Sequence, residues 1–184
     1  QSITGDDPTV MEALASCDFA LGDHSSALEW LGRLETVAGE LSPTLRSLSI
    51  QSSMRAERYE EALAETERYA SDLGPENALA LRALILEKQG AVPDALELLE
   101  SYRGAHPDSD TALRLWVFLQ ARSGDITAGV ARAREEGEWS ENDWSELAGI
   151  AIAQKQLDAA ILALETLTKT YPNEPSYWNN LAWI

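Results

Sequence analysis

A chain of 184 residues with 31 acidic and 14 basic side chains carries a formal charge of −17. Such a charge repels phosphate backbones and anionic lipid surfaces, which argues against a nucleic-acid or membrane-surface partner. Alanine and leucine dominate the apolar residues, and strand-favouring β-branched and aromatic residues are comparatively few, so the composition predicts an all-helical protein.

Five segments of the chain repeat with a regular period. Each is marked by an alanine near the start of a predicted second helix, and the successive spacings are 35, 33, 33 and 32 residues. The marking alanines are Ala27, Ala62, Ala95, Ala128 and Ala160. A period of about 34 residues is typical of a stacked two-helix repeat. The sequence therefore predicts about five helical hairpins.

Helix-start signals divide the chain between these hairpins. Asp7-Pro8 and Ser42-Pro43 each place an N-cap residue before a proline, which is a favoured first helical residue. We therefore expect ten helices and the stub of another. The predicted repeats span 8–42, 43–75, 76–108, 109–140 and 141–174, with a partial sixth at 175–184. The fourth is the weakest, because Gly129 and Gly137 interrupt its second helix.

The pattern resembles that of the tetratricopeptide repeat family, most closely in the fifth segment. The residues at the offsets of the family motif there are Trp144, Leu147, Ala148, Ala160, Leu164 and Pro172. The resemblance implies an all-α, right-handed α-solenoid of about five helix-turn-helix repeats plus the start of a sixth. It also implies a protein-binding scaffold in a bacterial context, without enzymatic activity.

In the resembled family, the first helix of each repeat lines a concave groove. The positions that this resemblance assigns to partner binding here are Phe19, Gln51, Met54, Asn77, Leu84, Leu113, Val117, Gln120, Asn142, Ile152, Asn179 and Trp183. None is a lysine or an arginine, so a clamp for a terminal carboxylate is not expected in the groove.

Four of these positions carry aliphatic side chains, which leaves two interpretations open. Leu84, Leu113, Val117 and Ile152 could form a partly hydrophobic groove for an extended peptide or a partner helix. They could equally be core residues, since the helix around residues 112–119 is apolar on nearly every side.

No cluster of residues predicts catalysis, a metal or a cofactor. His24 and His106 lie far apart in sequence, and no zinc-ligand spacing or phosphate-binding loop occurs. Paired carboxylates such as Glu60 and Glu61 are adjacent on a helix and do not face each other. No run of about 18 apolar residues occurs, so no membrane insertion is expected in this segment. Cys17 lies in an apolar helical run and is expected in the core.

The last predictions concern the burial of the tryptophans and the two ends of the chain. Trp30, Trp116, Trp144 and Trp178 are expected in the core, and Trp139 and Trp183 on the surface. The chain starts without methionine and stops within a predicted helix, so we expect a piece of a longer protein with a possible homodimer contact at the C-terminal helix.

Other roles and either compartment stay open on the sequence alone. The repeats could form a rigid spacer or self-assembly segment, or the recruiting arm of a larger enzyme. They could also belong to a secretion or polysaccharide-export assembly. Both the cytoplasm and the periplasm are compatible with the sequence.

Overall fold

The computed structural model describes residues 7–184, and their regular secondary structure is entirely helical. The chain divides into two compact units, residues 1–91 and 92–184, called here the N-terminal unit and the C-terminal unit. The described N-terminal unit contains α1 (Pro8–Leu21), α2 (His24–Ala38), α3 (Pro43–Arg55), α4 (Tyr59–Arg68), α5 (Ala70–Leu73) and α6 (Pro75–Gln89). The C-terminal unit contains α7 (Val92–Ala105), α8 (Asp110–Ser123), α9 (Ile126–Glu135), α10 (Glu141–Ala153), α11 (Leu157–Thr170) and α12 (Pro175–Trp183).

The predicted helix starts are confirmed by their capping hydrogen bonds. The Asp7 carboxylate accepts from the backbone N–H of Thr9 at 2.9 Å, and the Ser42 hydroxyl oxygen accepts from that of Leu45 at 3.4 Å. Prolines follow both caps in the first helical turn. These two helices, the ones that begin at Pro8 and Pro43, thus begin where a side chain satisfies one of the free N–H groups of the first turn.

The N-terminal unit is built from helices that pack on their neighbours around a small apolar core. α1 packs on α2, α3 on α4, and α4 on α6. The alanine markers Ala27 and Ala62 are fully buried, which lets the paired helices approach closely. The main core cluster consists of Met11, Ala15, Leu31, Leu34, Leu41 and Leu45.

One helix more than expected appears in this unit, because the predicted second helix of the second repeat is interrupted. α4 ends at Arg68, and the short α5 starts after Tyr69. The Tyr69 ring is buried, with the guanidinium groups of Arg46 and Arg68 over it at 4.9 and 5.2 Å. The interruption therefore coincides with an aromatic ring that two cations contact.

The C-terminal unit has a larger continuous core. It combines Leu113 and Val117 of α8 with Val130 of α9, Leu147 of α10 and Leu164 of α11. α8 packs on α9, α10 on α11, and α11 also contacts α9 and α12. Stacking of hairpins therefore buries faces that one hairpin alone would leave in water.

The alanine marker of the fourth repeat is displaced by one residue. Ala128 is only half-buried, and the neighbouring Gly129 takes the buried position. A Cβ atom on Gly129 would lie 2.9 Å from the backbone oxygen of Val117. α9 therefore approaches α8 so closely that only a glycine fits.

Several predictions of burial are wrong. Cys17 is exposed, and Trp178 is 49% exposed, because each lies on the side of its helix away from its packing partners. Trp139, expected on the surface, is half-buried: its Nε1 donates to the Glu136 carbonyl at 2.7 Å, and its ring packs beside Phe118.

Other tryptophans follow the predictions. Trp144 is buried, Trp30 and Trp116 are half-buried and pack against the core clusters, and Trp183 is 82% exposed. None of the helices within residues 7–184 has both the length and the apolar character needed to cross a membrane.

Candidate protein-binding surfaces

In the N-terminal unit, five predicted partner-binding residues lie on the first helices of the repeats and are accessible. Gln51, Asn77 and Leu84 are exposed, whereas Phe19 and Met54 are half-buried. These five residues are called here the first-helix residues of the N-terminal unit. They combine amide groups, which can bond a peptide backbone, with apolar side chains, which can act as anchors.

Leu84 is the clearest apolar contact point among them. Its neighbours along α6, Ala83 and Ile85, are buried, whereas Leu84 itself is 38% exposed. The helix therefore turns one large aliphatic side chain outward while burying those on either side. Burial of such a group by a partner would be favourable by roughly 25 cal/mol per Å² of apolar surface removed from water.

Phe19 is partly covered by its neighbours. The Arg55 guanidinium lies 5.4 Å from the centre of its ring, and the His24 ring lies 5.3 Å away in an edge-to-face arrangement. Asn77 uses one amide hydrogen to bond the Leu73 carbonyl at 2.9 Å. These contacts restrain both side chains and still leave part of each accessible.

In the C-terminal unit the predicted set splits into accessible and buried residues. Leu113 and Val117 are core residues that contact α9 and α10, so their assignment to an open groove is corrected. The reason is that α8 is apolar on several faces, and the neighbouring helices cover the face that was expected to be open. The accessible members of the set are Gln120, Asn142, Ile152, Asn179 and Trp183.

Charged hydrogen bonds fix the start of α10, where Asn142 lies. Ser140 and Asp143 form a capping box, with the Ser140 N–H donating to the Asp143 carboxylate at 2.8 Å. Arg114 of α8 pairs with the same carboxylate. Burial alone would raise the pKa of Asp143, but the bonds from Arg114 and Ser140 outweigh it, so the pKa lies below its ordinary value of 3.8.

A second carboxylate is set between helices in the N-terminal unit. Glu65 of α4 accepts from the Ser49 hydroxyl of α3 at 2.6 Å and from the Ser53 hydroxyl at 3.4 Å. Burial is the dominant effect and raises the pKa of Glu65 above its ordinary value, despite these two bonds. The Glu65 carboxylate therefore links α3 and α4, but its partial burial makes the charged form less favourable.

The histidines occupy structural positions. His106 packs its ring against Tyr102 with centres 4.4 Å apart, and His24 contacts Phe19. In the part of the chain that the structure describes, no group of three or more His, Cys, Asp or Glu side chains is placed to hold a metal ion.

An open pocket in the C-terminal unit was not foreseen from the sequence. Its volume is about 700 Å³, and it lies between α9, α11 and residues 136–140. Trp139, Trp144, Arg134 and Lys169 contribute to its lining. The only sequence signal was the interrupted fourth hairpin, with Gly137 and Trp139 in place of a regular junction.

The chain is similar to known repeat proteins. Residues 50–110 match the model of the tetratricopeptide repeat family. The structure resembles a tetratricopeptide repeat protein from Parabacteroides merdae ATCC 43184, with 16% identity and a TM-score of 0.56, covering 96% of this chain and 70% of that one. No curated protein sequence matches the chain.

Two further structures share the fold. PilW, a type IV pilus biogenesis factor, is 15% identical with a TM-score of 0.53, over 96% of this chain and 82% of its own. YrrB, described as a TPR protein with an unusual peptide-binding site, is 12% identical with a TM-score of 0.50, over 96% and 92%.

The predicted resemblance to the tetratricopeptide repeat family is therefore confirmed, by the matched segment and by the all-helical fold shared with these proteins. Proteins with this fold generally act as protein-interaction scaffolds, and the family is typically non-catalytic.

Proposed function

We propose that the chain is a non-catalytic module that binds an extended segment of a partner polypeptide at the first-helix residues of the N-terminal unit. The observation that carries the proposal is Leu84, a large aliphatic side chain left 38% exposed on α6. The exposed amides of Gln51 and Asn77 lie on first helices of the same unit. Exposed amides and an apolar anchor are the groups that recognise an extended peptide.

The likeness to YrrB supports this proposal at the level of the fold. The same helical repeat architecture carries a peptide-binding site in that protein. The C-terminal unit has its own accessible candidates for partner contacts, which are Gln120, Asn142, Ile152, Asn179 and Trp183.

The test compares two substitutions of an exposed aliphatic residue by aspartate in the same unit. Leu84→Asp places a charge among the first-helix residues, whereas Val37→Asp places one on α2, where Val37 is 55% exposed. Partners captured from an extract by the unaltered chain are identified, and overlapping peptides that cover their sequences are synthesised. The binding of each peptide to the unaltered chain and to both variants is then measured by fluorescence anisotropy.

We expect Leu84→Asp to weaken peptide binding at least tenfold and Val37→Asp to leave it unchanged. Circular dichroism checks that both variants stay folded. Equal binding by the two variants, or no peptide bound by the unaltered chain, would rule out the first-helix residues as the site.

A second candidate function, self-assembly through α12, is favoured by the exposed indoles of Trp178 and Trp183. Both exposed indoles lie on one nine-residue helix, which a second copy of the chain could cover.

This second proposal is tested by light scattering coupled to size exclusion. We expect a dimer for the unaltered chain and a monomer for the Trp178→Ser, Trp183→Ser variant. A monomer at every concentration of the unaltered chain would contradict self-assembly.

A further inference from the structure

The pocket between α9 and α11 exists because α9 ends early. α9 has 10 residues, whereas α11, which packs beside it, has 14. After α9, Glu136 is extended and Gly137 has a positive φ of 79°. A Cβ on Gly137 would lie 2.7 Å from Cδ2 of Leu113, so the chain turns tightly over the core. The space beside the last turns of α11 is left open.

Two indole rings form the apolar wall of this pocket. The ring centres of Trp139 and Trp144 are 6.3 Å apart, with an angle of 56° between the ring planes. Trp139 is held by its bond to the Glu136 carbonyl, and Arg114 lies 5.0 Å from its ring centre. The rings are therefore fixed in place before any ligand arrives.

The remaining lining is cationic in a strongly anionic protein. Arg134 of α9 and Lys169 of α11 line the pocket together with one carboxylate, that of Glu165. Within residues 7–184, neither cation has an ion-pair partner, whereas Arg103 and Arg132 of the same unit each pair with a glutamate. Two cations and one carboxylate give a local charge of +1 in a chain of −17.

A purely structural role is the alternative explanation of these two cations. Both lie in the last turns of their helices, where basic side chains offset the negative end of the helix dipole. That role would not require an open space between them or an aromatic wall beside them. The two explanations differ in what they predict for an added anion.

We propose that this pocket binds a carboxylic acid whose carboxylate is attached to an aromatic or other apolar group. The apolar group packs against the indoles of Trp139 and Trp144, and Arg134 and Lys169 bind the carboxylate. The local charge of +1 matches a monoanion, whereas a phosphoryl dianion would leave negative charge uncompensated beside Glu165. A volume of about 700 Å³ is within the ordinary range of small-ligand sites.

This chemistry has two sources: the C-terminal residue of a polypeptide and a free aromatic acid. The site is separate from the first-helix residues, so its failure and that of the proposed function are distinguishable. The probes are N-acetyl-phenylalanine, its neutral amide, and a short peptide ending in phenylalanine with a free or an amidated terminus.

Calorimetric titration measures affinity, and ¹H–¹⁵N spectra of the tryptophan indoles locate the site. We expect the free acid to shift the indole signals of Trp139 and Trp144 and the neutral amide to bind at least tenfold more weakly. Arg134→Gln with Lys169→Gln should weaken acid binding at least tenfold. Lys155→Gln, which removes an exposed cation at a different pocket of the same unit, should leave binding unchanged.

Three results would overturn the proposal: equal binding of the acid and the amide, no binding of any probe, or full affinity in the double variant. Given binding, a free-ended peptide that binds more tightly than N-acetyl-phenylalanine assigns the ligand to a polypeptide terminus. Exclusion of the peptide assigns it to a free acid.

Discussion

Replacing Gly129 by alanine tests the close approach of α9 to α8. Gly129 is buried in α9, and a Cβ atom there would lie 2.9 Å from the Val117 carbonyl oxygen and 3.6 Å from the Ala121 nitrogen. These are backbone atoms of α8, so no side-chain rotation can relieve the first contact. Alanine at this position must move one helix away from the other.

Two opposing effects decide the magnitude. Alanine in place of glycine within a helix stabilises the fold by about 1 kcal/mol. Overpacking of a tightly packed core costs about 1–3 kcal/mol. Because the contact is with backbone, we expect an overpacking cost of about 2–3 kcal/mol, so Gly129→Ala should lower the free energy of unfolding by about 1–2 kcal/mol.

The assay is urea unfolding followed by tryptophan fluorescence. Five of the six tryptophans lie beyond residue 91, so the signal reports mainly on the C-terminal unit. Gly149→Ala is the matched control: Gly149 lies in α10 with no atom within 4 Å of an added Cβ, so stability should rise by about 0.5–1 kcal/mol. A Gly129→Ala midpoint at or above that of the unaltered chain would refute the close-packing argument.

Three further substitutions test burial, charge and capping. Leu113→Ala leaves a cavity in the core and should lower the free energy of unfolding by about 2–5 kcal/mol in the same urea assay. A loss under about 1 kcal/mol would show that Leu113 is a surface residue instead. Because the folded state raises the pKa of Glu65 above its ordinary value of 4.5, stability falls as pH rises from that value through the folded pKa. Glu65→Gln should therefore flatten the fall of melting temperature as the pH rises above 4.5, and an unchanged slope would contradict this. Ser140→Ala removes the cap of α10 and should cost about 0.5–2 kcal/mol, measured against Ser123→Ala, which lies at the C-terminal end of α8.

Much of the fold was predictable because its causes are local. The caps at Asp7 and Ser42 are determined by residues within one helical turn, and the buried alanines Ala27, Ala62 and Ala160 follow from the repeat period. The accessible first-helix residues Gln51 and Asn77 were also predictable, since the resemblance assigns these positions to one helix face.

Other features depended on neighbours that the sequence does not specify. α8 is apolar on several faces, so periodicity could not tell whether Leu113 and Val117 meet water or another helix, and packing against α9 and α10 buries them. Likewise, the interhelix distance made Gly129 rather than Ala128 the contact position.

The sequence by itself determined most of the helices, the capped helix starts and the repeat period, because these depend on hydrogen bonds and side chains a few residues apart. The tertiary structure decided which apolar faces are covered and where a pocket opens. Burial depends on distances between helices that are remote in sequence, and the early end of α9 becomes a pocket only because the longer α11 lies beside it.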